Sequence, residues 1–86
     1  MNDIFKEAEN IIKTRKEWHG DPLGNFAKTA SFWSGYLGIE ITPVDVAMMM
    51  CLMKISRFSH SLQYDNLVDI AGYAKIASML KESKDE

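Results

Sequence analysis

Apolar residues return every three to four positions along most of this chain, the period of a helix that buries one face. Ile4, Ala8, Ile11 and Trp18, widened by Phe5 and Ile12, predict a first helix over residues 3–18, capped by Asn2 or Asp3, with Arg15 set on the apolar stripe. His19-Gly20-Asp21-Pro22 ends it. Gly20 suits a left-handed helix end, and Asp21 ahead of Pro22 suits a cap followed by the first helical position. A second helix over 22–37 would bury Leu23, Phe26, Ala30, Trp33 and Leu37. After a short connector, Thr42-Pro43-Val44-Asp45 combines a capping threonine, a proline at the first position and a carboxylate at the third. The third helix, over 43–58, is apolar on every side from 46 to 53, so its own domain or a neighbouring subunit should surround it. A polar loop over 59–63 leads to a fourth helix over 64–81 with Leu67, Ile70, Ala71, Ala74, Ala77 and Leu80 facing inward. The charged tail 82–86 is expected to fray. The pattern is that of one all-α domain, a compact bundle of about four helices.

A single core of 86 residues is thin unless something reinforces it. Cys51 is the lone cysteine, which excludes an internal disulfide and a thiolate zinc cluster, and His19 and His60 are too far apart to form a helix-borne ligand pair. Subunit contact is the reinforcement left, and a homo-oligomer is expected. The net charge of −2, without a basic run, gives no footing for a nucleic acid polymer as partner. The opening MNDIFKEAEN lacks the basic start and apolar stretch of a signal peptide, and the apolar run 46–53 is too short to span a bilayer. A cytoplasmic protein without a membrane partner is the expectation.

Two polar groups interrupt the apolar faces. Lys54 and Arg57 stand one turn apart on the third helix, and Asp65, Asp69 and Tyr73 share a face of the fourth at i, i+4, i+8. The short loop makes these helices antiparallel neighbours, so the bases should lie beside the carboxylates. The group reads either as an interhelix salt-bridge set or as a pocket, in which bases take phosphate oxygens and carboxylates hold Mg²⁺ or a sugar hydroxyl. Arg15, Trp18, His19, Asp21 and Asn25 gather at the Gly-Pro corner. They join a planar cation, an indole, an imidazole, a carboxylate and an amide, able to stack a base, bond its edge and contact phosphate. The same residues also suffice for two helix caps with an indole over the core. The methionines of the third helix read as buried or subunit-facing packing, and Cys51 as a core filler. No nucleophile motif, P-loop or dinucleotide fingerprint is present.

The string Thr14-Arg15, His19-Gly20-Asp21-Pro22, Asn25-Phe26, Trp33 and Tyr36-Leu37 resembles the first half of a small family of proteins from tailed phages and prophages. Ile41-Thr42-Pro43, Asp45-Val46-Ala47, Met49-Met50, Leu52, Lys54-Ile55, Arg57, Asp65-Asn66 and Val68 through Ala74 resemble its second half. The resemblance implies a family and, for a phage protein, a place in the cytoplasm of the infected or lysogenic host, but no established activity. That family is itself reminiscent of MazG-like all-α nucleotide pyrophosphohydrolases, which bind Mg²⁺ through Glu-x-x-Glu and Glu-x-x-Asp pairs on successive helices. Here Glu7 and Glu9 have a different spacing, the second helix carries no acidic residue, and Asp65 and Asp69 are four apart. The four-carboxylate site is absent.

Three functions follow as expectations. The first is a phage nucleotide-binding protein that sequesters a signalling nucleotide of host immunity, by analogy with other small oligomeric phage proteins, in pockets near subunit boundaries. Arg15, Lys54 and Arg57 would take phosphates, Trp18 or Tyr73 would stack the base, and His19, Asn25, Asp65 and Asp69 would bond edges and hydroxyls. It requires no catalytic residue and no cofactor. The second is a MazG-like Mg²⁺-dependent pyrophosphohydrolase, with Asp21, Asp65 and Asp69 as metal ligands. The third is a module that binds a host protein through the methionine-rich helix.

Overall fold

The computed structural model describes residues 3–85, without the side chains of His19 and residues 83–85. Four helices follow one another, α1 Ile4–His19, α2 Pro22–Leu37, α3 Pro43–Ser61 and α4 Tyr64–Asp85, with no strand among the described residues. Local chemistry sets their ends. Asp3 caps α1 by accepting from the amides of Phe5 and Lys6; Asn2 lies outside the described residues. Asp21 caps α2 by accepting from the Leu23 amide. Thr42 and Asp45 form the expected reciprocal box, each side chain accepting from the other's backbone amide at 3.1 and 2.9 Å. Gly38 closes α2 in the left-handed conformation at φ 71°, whereas Gly20 ends α1 at φ 84° and ψ −174°, extended rather than the left-handed turn expected there; a Cβ disfavours both.

The most extensive pairing is α3 with α4, which fold back on each other across Leu62 and Gln63. Next, α1 packs on α4 and α2 on α3, while α1 and α2 touch each other only lightly. The bundle is therefore two layers, with α1 and α2 covering one side of the α3/α4 hairpin. Between the layers, Ala47, Cys51, Tyr73, Ile76 and Leu80 are buried, with Ile12, Leu23 and Phe26 packed against them. Cys51 fills this core, and burial pushes its thiol up from the usual value.

Several expected boundaries and faces differ. α3 runs three residues past residue 58, to Ser61, and α4 continues to Asp85. The buried face of α4 consists of Val68, Gly72, Tyr73, Ile76 and Leu80, whereas Leu67 and Ala74 are exposed. The rest of the expected stripe holds in part, since Leu80 is buried and Ile70 and Ala77 pack against the core, and periodicity alone did not separate them from Leu67 and Ala74. Phe5, Trp18 and Leu37 are exposed too. α3 buries Val46, Ala47 and Cys51 but leaves Met48, Met49 and Leu52 open, so one chain does not surround it.

Candidate functional site

A cleft with about 170 Å³ of room lies between α1 and α4, closed at one end by the start of α2. Its interior is apolar, walled by Ile11, Ile12, Phe26, Val68 and Ile76. Its polar groups are Arg15 and Lys16 from the last turns of α1, Asn25 from α2, and Asp69 and Tyr73 from α4. Gly20 and Pro22 bring the corner between α1 and α2 to the rim. Gly72 is buried in the wall, yet a Cβ built on it would meet no atom within 4 Å. The missing side chain is part of the cavity.

One polar network anchors the site across three helices. Lys54 Nζ on α3 lies 3.0 Å from Asp69 Oδ2, and the two side chains are only 12% and 15% exposed. Arg15 Nη2 stands 4.0 Å from the other Asp69 oxygen, while Arg15 Nη1 donates to Tyr73 Oη at 3.3 Å. The Tyr73 ring in turn packs tilted on Phe26, with centroids 6.1 Å apart. A guanidinium has five N–H donors, and these contacts leave several for a ligand, since half of the Arg15 side chain is open to solvent. Lys16 lines the same cleft, so two cations and one carboxylate line it while Lys54 already pairs with that carboxylate, a local excess of positive charge on a chain of net charge −2.

Arg15, Asn25, Asp69 and Tyr73 thus meet at one cleft, with Lys54 behind Asp69. Trp18 is 80% exposed and does not line it. Arg57 is exposed, with no ion pair among the described residues. Asp65, also exposed, lies one turn away in a shallow second groove with Glu7, Asn10 and Tyr64. There Tyr64 Oη donates to Glu7 Oε2 at 2.5 Å, and the hydrogen bond, with the nearby carboxylates, pushes the phenol up to about 12. Asp21 is occupied as the α2 cap. The His19 side chain lies outside the described residues. No group of three or more His, Cys, Asp or Glu among the described residues is placed to hold a metal ion. Lys16, Phe26 and Gly72 complete the cleft without having been singled out. Lys16 follows Arg15 directly, and Gly72 interrupts a buried helix face, so both left a signal in the sequence.

The chain belongs to a family described only as a domain of unknown function, DUF6378, whose model matches residues 3–81. It is similar to the Gene 55 protein of Mycobacterium phage L5, at 42% identity over 96% of this chain and 55% of that protein. It is likewise similar to the Gene 55 protein of Mycobacterium phage D29, at 40% identity over 92% of this chain and 54% of that protein. The chain spans just over half the length of these relatives. No solved structure matches it. No helix is long and apolar enough to cross a membrane, among the described residues.

Proposed function

We propose that the cleft holds a phosphorylated small molecule with a planar ring, a nucleotide, and that binding is its task. The supporting observation is the pairing of a narrow apolar slot with a cationic rim in one cavity. A dry cavity of about 150 Å³ accepts a benzene ring, so 170 Å³ suits one ring of a base and leaves sugar and phosphate at the mouth. Phe26 and Tyr73 offer the ring an aromatic wall, and Asn25 is an amide beside it. Arg15 and Lys16 meet the phosphate, Arg15 as a fork and Lys16 as a point charge. Asp69 takes up Lys54 and orients Arg15.

Holding the molecule intact favours donors and a stacking surface, which this cavity has. Turnover of a triphosphate asks in addition for a positioned water and charge stabilisation at the leaving group. Held without turnover, a nucleotide would be withdrawn from the cell around it, the use we propose for a protein whose relatives are phage proteins.

The test is calorimetric titration with nucleoside mono- and triphosphates and cyclic dinucleotides, with and without Mg²⁺, on the wild type and on Gly72→Leu. This substitution adds apolar bulk to the cleft wall, at a position where a Cβ meets no atom within 4 Å, and changes no charge. Binding by the wild type that is lost in Gly72→Leu, with the ligand recovered unchanged, is the expected result. Equal binding by both proteins would remove the cleft from the account, and metal-dependent turnover would replace binding with hydrolysis.

A further inference from the structure

We infer that the chain self-associates through the outer face of the α3/α4 hairpin, a second copy covering the side that α1 and α2 leave open. This goes beyond the cleft and does not depend on what the cleft holds. α3 is inverted relative to an ordinary surface helix. Its cation Lys54 points inward to Asp69, while Leu52 is 65% and Ile55 50% exposed. Met48, Leu52 and Ile55 fall at i, i+4 and i+7 on one stripe of α3, and Leu67, Ala71 and Ala74 have the same spacing on α4. The seam between the two helices is marked by Cys51 Sγ donating to the Ile70 carbonyl. At about 100° per residue, both stripes lie just to the solvent side of that seam and form one continuous surface.

The area of the chain carries the choice of occupant. Its accessible surface is 6292 Å² for a mass of 9.8 kDa. A compact monomer of that mass exposes about 5,200 Å², so the excess is roughly 1,100 Å². A standard interface buries about 800 Å² on each partner. The radius of gyration, 13.4 Å, likewise exceeds the roughly 12 Å of a compact domain of this length. No large side chain is fully buried among the described residues, so the single chain lacks the deep core that a second layer would supply.

Charge favours a second copy over a different partner. In a two-fold contact the same patch meets itself, so a charge close to the axis faces its own like and a patch poor in charge suits such a contact. Arg57 is the only charged side chain at the exposed positions of α3 from 46 to 59. The other polar positions there, Ser56 and Ser59, are neutral.

Sedimentation equilibrium of the 86-residue chain from about 1 to 200 µM reads this directly. The wild type is expected at twice the 9.8 kDa of one chain. Leu52→Glu is expected at the single-chain mass with its helical circular dichroism retained. Phe32→Glu, an exposed position on α2 outside this face, is expected to remain double. Wild type at single-chain mass throughout would overturn the inference. So would a dimer or larger assembly that survives Leu52→Glu. If Leu52→Glu loses helicity, Ala74→Glu on the α4 stripe decides: the single-chain mass supports the face, and an intact dimer overturns it.

Discussion

The Lys54–Asp69 pair gives the sharpest energetic prediction. Its atoms are 3.0 Å apart and its side chains are 12% and 15% exposed, so each charge has given up most of its water for the other. Removing one partner of a fully buried pair costs about 3–5 kcal/mol, because the remaining charge is left without a partner or water. Lys54→Met falls at the lower end, since Arg15 stands 4.0 Å from the other oxygen and takes part of the load. Total stability of about 4–13 kcal/mol is expected for a chain of this length, so the loss is a large share of it. At about 4–8 °C per kcal/mol, a loss near 3 kcal/mol lowers Tm by roughly 12–24 °C. Thermal melts followed by far-ultraviolet circular dichroism, at neutral pH and fixed protein concentration, give the number. Replacing both residues with apolar ones, Lys54→Met with Asp69→Leu, should return stability to within about 1 kcal/mol of wild type. A single Lys54→Met that melts within about 4 °C of wild type, under 1 kcal/mol by the same scale, would refute the reasoning.

Gly72→Ala should raise stability by about 1 kcal/mol in a denaturant titration, since an interior helical glycine gains propensity and its Cβ meets no atom within 4 Å. Arg15→Ala should weaken nucleotide binding by about 1.5–3 kcal/mol in calorimetry, the range of a charged hydrogen bond, while the Lys54–Asp69 pair keeps the fold. In a spectrophotometric titration, part of the phenolate signal should appear only near pH 12, from Tyr64, and should move towards 10 in Glu7→Gln. The folded state raises this group's pKa, so its contribution to stability is complete below pH 10 and is lost as the pH rises through about 12.

Element starts were legible because they rest on short-range chemistry. Asp21-Pro22 and Thr42-Pro43 open α2 and α3 where capping rules put them, whatever packs around them. The faces were less legible. α4 has Leu67, Ala71 and Ala74 on one side and Val68, Gly72 and Ile76 on another, and only tertiary packing chooses between them. Trp18 shows the same limit, since its bulk argues for burial, yet it is exposed and does not line the cleft that Arg15, Lys16 and Gly20 reach on either side of it in the chain. In the site, charges on apolar stripes were the informative signal. Arg15 and Lys54 both break an apolar face, and both reach Asp69. Arg57 and Asp65 lie one turn further along α3 and α4, where Arg57 is exposed and Asp65 shares a groove with Glu7 and Asn10 of α1 in place of a cation. Gly72 was the quieter signal, because an absent side chain registers as weak helix propensity before it registers as space.

The most direct measurement is the two-dimensional amide spectrum of the labelled chain, recorded while a nucleoside monophosphate and a cyclic dinucleotide are titrated in turn. At least one is predicted to shift the amides of Gly20, Asn25, Asp69 and Gly72 together in saturable fashion, with Arg57 and Leu62 unmoved. Shifts confined to other surfaces, or none at these four residues with any nucleotide in the series, would contradict the account.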